Sequence, residues 1–191
     1  VLGGLVALAI AIGGYFLIAS QRAEQKSAAN QTGNVSGIDH STALQEIPAI
    51  TEDDRFLGEK SAKLTIVEYF SFGCPHCARF HNEILPQLKK DYIDTGKVRL
   101  VFRDFPLDRP SLAASMMASC LPSEGYLAMM DLLLSEQDTW HNQNAQSALA
   151  TLAKGAGMDQ AKLDACLEDS ALRDRILTRQ QEAQAKFQVE S

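Results

Sequence analysis

Cys74 and Cys77 flank Pro75 and His76 in the stretch SFGCPHCARF, residues 71–80. Two thiols at this spacing on a helix lie one turn apart, within reach of a mutual disulfide. A cysteine at a helix start meets free backbone N–H groups and the positive end of the helix dipole, which favour its thiolate and lower its pKa. Pro75 suits the first helical turn, where a missing N–H costs no hydrogen bond. His76 puts a positive or hydrogen-bonding group beside Cys74 and stabilises the thiolate further; the plainer reading is an exposed histidine without effect. Glu68 precedes the pair on the segment that feeds it. Buried beneath the helix, its carboxyl would titrate high and exchange protons with Cys77; the alternative is a glutamate facing water. His81, one turn on, reads as a surface residue. Zinc is the competing chemistry, but a structural zinc site takes four ligands, usually as two close pairs. Only one close pair is present, because Cys120 and Cys166 are distant from it and from each other.

A strand and a helix must hold these residues. LTIVEYF, residues 64–70, is β-branched and aromatic and reads as a strand, central in its sheet and covered on both faces. SFG is the turn after it. A helix then runs from about Cys74 to Asp94, with Phe80, Ile84, Leu88 and Tyr92 as its buried face, a kink at Pro86 and a stop at Gly96. KVRLVFRDF, residues 97–105, alternates Val98, Leu100 and Phe102 against Arg99 and Arg103 and reads as a second strand. Strand, helix and strand make a βαβ unit, a context in which C-x-x-C reads as a thioredoxin-like redox motif. Helices are expected thereafter at 110–121, 123–135, 145–155, 159–167 and 170–186. Met116, Met117, Met129 and Met130 read as their core, with a Met-lined surface for unfolded substrates as the alternative.

The chain of 191 residues has room for one domain and appendages, and its hydrophobic share of 46% suits a folded protein. A net charge of −6 without any basic block argues against nucleic acid. Residues 1–20 carry no charge and match the length of a membrane span. They read as a retained transmembrane anchor, with a cleaved secretory signal as the second reading; either takes the rest of the chain out of the cytoplasm. Residues 21–46 are polar and read as a flexible linker, which contains His40 and the sequon Asn34.

The segment IVEYFSFGCPHCARFHNEILPQL resembles the active-site segment of DsbA-like thiol:disulfide oxidoreductases. The strand, the placement of Glu68, the Cys-Pro-His-Cys tetrapeptide and the later helical segment all fit, over about residues 50 to 191. The resemblance implies an α/β thioredoxin-like fold over 47–191, with an inserted all-helical subdomain at about 107–186. An N-terminal transmembrane helix precedes it. The resemblance also implies an exposed nucleophile in Cys74, a buried partner in Cys77, and no cofactor or metal. The expected activity is introduction of disulfides into reduced, unfolded secreted proteins, with reoxidation by a DsbB-like membrane oxidase. The expected location is the bacterial inner membrane, with the catalytic domain facing the periplasm or cell exterior. A reductase or isomerase of the same fold, or a tethered thiol metal-binding module, are the alternatives. An oxidising compartment favours a structural disulfide between Cys120 and Cys166, against two free buried thiols. The family places a cis-proline opposite the cysteine pair, yet no proline follows the helical segment. The chain therefore reads as C-terminally truncated, lacking that turn, two strands and a last helix, and as truncated at the N-terminus too.

Overall fold

The computed structural model describes residues 49–190. The expected anchor at 1–20 and linker at 21–46 lie outside the described residues. No helix among the described residues is long and apolar enough to cross a membrane.

Three strands form one sheet: β1 (Arg55–Leu57), β2 (Leu64–Phe70) and β3 (Val98–Asp104), in the order β1-β3-β2. β2 and β3 are parallel, with Glu68 opposite Phe102 and Phe70 opposite Asp104, while β1 runs antiparallel to β3. The helical crossover between β2 and β3 is the expected βαβ unit. The strand with both neighbours is β3, however, and not β2. Leu100 and Val101 of β3 are fully buried, whereas Leu64 and Ile66 of β2 are exposed. Arg103, expected on a polar face, is buried at 6% exposure. Its guanidinium grips Asp54 in a fork, Nε to Oδ1 at 3.0 Å and the second nitrogen to Oδ2 at 2.8 Å. Such two-point pairing is what lets a charge leave water.

The crossover helix, α1, is continuous over 75–93 but changes pitch twice, with π turns at Phe80–Ile84 and Lys89–Ile93. A π turn takes one residue more than an α turn and rotates everything after it. The buried face is therefore Ala78, His81, Leu85 and Ile93, while Ile84 and Tyr92, expected inside, are exposed. Pro86 falls just after the first π turn, where the i→i−4 ladder is already interrupted. Gly96 ends the segment with φ +74°, a left-handed conformation that glycine takes without strain.

After β3 come α2 (Arg109–Ser119), α3 (Ser123–Ser135), α4 (Gln137–Trp140), α5 (Ala145–Gly155), α6 (Gln160–Glu168) and α7 (Ser170–Phe187). Asp108, Asp159 and Asp169 each accept a hydrogen bond from a backbone N–H in the first turn of the helix they cap. Met116, Met117, Met129 and Met130 are all buried. Met117, Met129 and Met130 share one cluster with Phe70, Phe72, Leu100 and Phe102, so the sheet and the helical segment are packed on a common core. Cys120, just after α2, is disulfide-bonded to Cys166 in α6, with their Cα atoms 6.1 Å apart.

Candidate active site

The chain leaves β2 through a buried turn. Ser71 and Phe72 are withdrawn from water, and the Cys74 N–H donates to the Ser71 carbonyl at 3.1 Å. Ser71 Oγ also accepts from the Gly73 and Leu107 amides, tying the turn to the chain beyond β3. Cys74 is the N-cap of α1 in extended conformation, Pro75 is the first helical residue, and the Cys74 carbonyl accepts from Ala78 N at 3.1 Å. The two cysteines thus stand at the C-terminal end of a parallel strand and the start of a helix.

Cys74 and Cys77 are both free thiols and both half-buried, so the expected contrast between an exposed and a buried cysteine is one of degree. Cys77 packs against the common core. Burial pushes its thiol up to about 12; a hydrogen bond with the Ser71 backbone works against this, and the neighbouring Cys74 and Glu68 add to it. Glu68 is half-buried on β2, and burial holds its carboxyl up to about 7. His76 is exposed, and Pro75 beside it is too. His81 is not the expected surface residue: it is 9% exposed, and its Nε2 lies 2.7 Å from Asp131 Oδ1 on α3. It fastens α1 to the helical segment.

Sequence reasoning missed the groups that hold the turn from the other side. Buried Gln137 donates its side-chain N–H groups to the Phe72 carbonyl at 2.7 Å and the Cys74 carbonyl at 3.1 Å. His141 Nε2 lies 2.7 Å from Asp108 Oδ2. Burial works to raise the Asp108 carboxyl, but hydrogen bonds from Ser111 and His141 outweigh it and hold the group below its ordinary value. Ser111 and His141 press on Gly73 so closely that a Cβ there would sit 2.3 Å from Ser111 Oγ and 2.6 Å from His141 Nε2. Gly73 is the one signal the sequence offered, since a glycine just before a reactive residue marks a close approach of backbone. Among the described residues, no group of three or more His, Cys, Asp or Glu side chains is placed to hold a metal ion.

The sequence pattern of the family described as Thioredoxin matches residues 50–191. The chain belongs to the thioredoxin family. Within it, the chain is 36% identical over 130 residues to a putative protein-disulfide oxidoreductase of Rickettsia bellii, covering 67% of this chain and 50% of that protein. It is 41% identical over 46 residues to disulfide bond formation protein D of Bacillus subtilis, covering 24% of this chain and 21% of that one. Among solved structures it resembles alpha-DsbA1 of Wolbachia pipientis, with a TM-score of 0.69 and 30% identity over 74% of this chain and 73% of that one. The chain spans about half the length of the Rickettsia relatives it matches.

Proposed function

We propose that the chain is the catalytic part of an extracytoplasmic thiol:disulfide oxidoreductase that introduces disulfides into secreted proteins through Cys74 and Cys77. The observation that carries this reading is the asymmetry built around the pair. Cys74 caps the start of α1, while Cys77 packs on the core with its thiol pushed up to about 12 and Glu68 beside it near 7. Oxidised enzyme carries the Cys74–Cys77 disulfide. A substrate thiolate attacks Cys74 Sγ, the intramolecular S–S bond breaks, and its electron pair leaves on Cys77 Sγ. A sulfur with so high a pKa takes a proton at once, and Glu68, itself raised to about 7, is the donor in this reading. A second substrate thiolate then attacks the substrate sulfur of the mixed disulfide and expels Cys74 as thiolate. The substrate has lost two electrons and two protons, and the enzyme dithiol has gained the electrons. Reoxidation falls to a membrane oxidase of the DsbB kind. The names of the relatives support disulfide chemistry in either direction, and Cys-Pro-His-Cys favours the oxidising one. The expected setting is the outer face of a bacterial cytoplasmic membrane.

The test is stoichiometric. Oxidised full chain, mixed with a reduced, unfolded secreted protein and no other oxidant, is expected to transfer one disulfide per enzyme. Cys74→Ser is expected to transfer none, and Cys77→Ala, first charged at Cys74 as a disulfide with thionitrobenzoate, to release that thiol and accumulate a mixed disulfide with the substrate through Cys74. Failure of the wild type to transfer, or trapping through Cys77, would overturn the assignment.

A further inference from the structure

On the helical segment, α2, α5 and α6 enclose a cavity of about 430 Å³. Its floor is apolar, built from Leu112, Met116, Met117, Leu149 and Leu163. Its rim carries Arg109 at the start of α2 and Arg173 on α7. Both arginines are exposed. Arg109 makes no hydrogen bond or ion pair with any described residue, and Arg173 gives only its Nε, to Asp174 at 3.3 Å. One acidic group, Asp164, also lies on the rim and accepts from Gln160 Nε2 at 2.8 Å, so two guanidinium groups stand against one carboxylate there. An apolar hollow with two exposed guanidinium groups at its mouth, that of Arg109 unpaired among the described residues, complements an apolar segment that carries negative charge.

The cavity also adjoins the redox turn. Arg109 and Pro110 line it, while their neighbours Asp108 and Ser111 reach the other way, to His141 and Gly73. One short stretch of chain, 108–111, therefore touches both the turn that carries Cys74 and the rim of the cavity.

We propose that the cavity is a second contact for the polypeptide substrate, taking apolar side chains of an unfolded segment whose flanking Asp or Glu meets Arg109 and Arg173. This rests on the oxidoreductase reading, since it names the substrate feature that the enzyme would select. The occupant is an extended, thiol-independent peptide segment.

Two short cysteine-free peptides, each rich in Leu and Phe and flanked by Glu in one and Lys in the other, test it by fluorescence anisotropy against the full chain at low salt. The Glu peptide is expected to bind about tenfold tighter than the Lys peptide. The preference is expected to vanish in Arg109→Glu/Arg173→Glu, where both substitutions lie at exposed positions and leave the core alone. Ala150→Trp, which fills the cavity from α5, is expected to weaken both peptides. In methyl-labelled protein the Glu peptide is expected to shift Met116 and Met117 and to spare Met129 and Met130. Equal binding of the two peptides, no saturable binding, or shifts confined to Met129 and Met130 would overturn the proposal. So would binding of decanoate with neither peptide binding, which would mark a site for a small amphiphile. Disulfide transfer by the same wild-type preparation separates the two claims. Transfer without peptide binding removes the cavity and keeps the oxidoreductase; binding without transfer does the reverse.

Discussion

Asp54 and Glu68 stand on opposite flanks of β3, both drawn out of water, and they titrate in opposite directions. Burial alone would raise Asp54, but hydrogen bonds from Arg103 and Thr51 and the charges of Arg103 and Arg179 outweigh it, leaving the carboxyl below its ordinary value. Glu68 takes part in no ion pair among the described residues, and burial alone carries it from 4.5 to about 7. Asp104 belongs with Glu68. Burial raises it to about 6, against a hydrogen bond from Tyr126 at 3.2 Å and the more distant charge of Arg179. Register explains the division. Alternate residues of β3 point to opposite faces, so Arg103 serves the face that Tyr69 shares, while Glu68 lies across from Phe102 on the other. A buried acid with a cation is a brace. A buried acid without one holds its proton to higher pH, as Glu68 does.

The comparison is broken most severely from the Arg103 side. Arg103→Met strands Asp54 in the interior, with Arg179, 3.5 Å away, and the hydrogen bonds from Thr51 as partial relief. Urea denaturation at neutral pH is expected to show a loss of about 3 kcal/mol. A loss under about 1 kcal/mol would mean that the brace contributes little.

Glu68→Gln acts on the other flank and with the opposite sign. Because its folded pKa is raised, Glu68 favours the folded state fully below about 4.5, and that contribution is lost as pH rises through about 7. Glutamine removes this pH dependence. At pH 8 the variant is expected to be more stable than the wild type by roughly 2 kcal/mol, after allowance for screening of a half-buried group. Its disulfide transfer is expected to be slower and to lose the inflection near pH 7. An unchanged pH profile would remove Glu68 from the proton step.

A smaller effect is expected at Asp104, whose contribution is present below 3.8 and lost as pH rises through about 6. Asp104→Asn is expected to gain roughly 1 kcal/mol at neutral pH, since the amide oxygen still accepts from Tyr126 and part of the relief is spent on weaker hydrogen bonds. Transfer rates are expected to stay at the wild-type level, which would confine the proton role to Glu68.

What the sequence made legible follows the range of the interactions. β2, β3 and the Cys-Pro-His-Cys helix start are written in local composition, and the helices after β3 are written in periodicity and in their aspartate caps. Asp54 and Arg103 are 49 residues apart, and no local pattern announces their pairing. β1 has only three residues and exists because β3 has an edge to offer. The π turns shifted the face of α1 by geometry that a 3.6-residue period does not contain, which is why His81 turned inward and Tyr92 outward. Gln137 and His141 reach the redox turn from more than 60 residues away along the chain. A site assembled from two ends of a fold shows its reactive half in sequence and conceals its supporting half.

The most direct measurement is the reduction potential of the Cys74–Cys77 pair, by equilibration against glutathione with Cys120 and Cys166 left bridged. A disulfide donor is expected near about −120 mV, where its disulfide passes readily to substrate thiols. A value near about −270 mV, as in a thioredoxin reductant, would contradict the account and make the same geometry the site of a reductase.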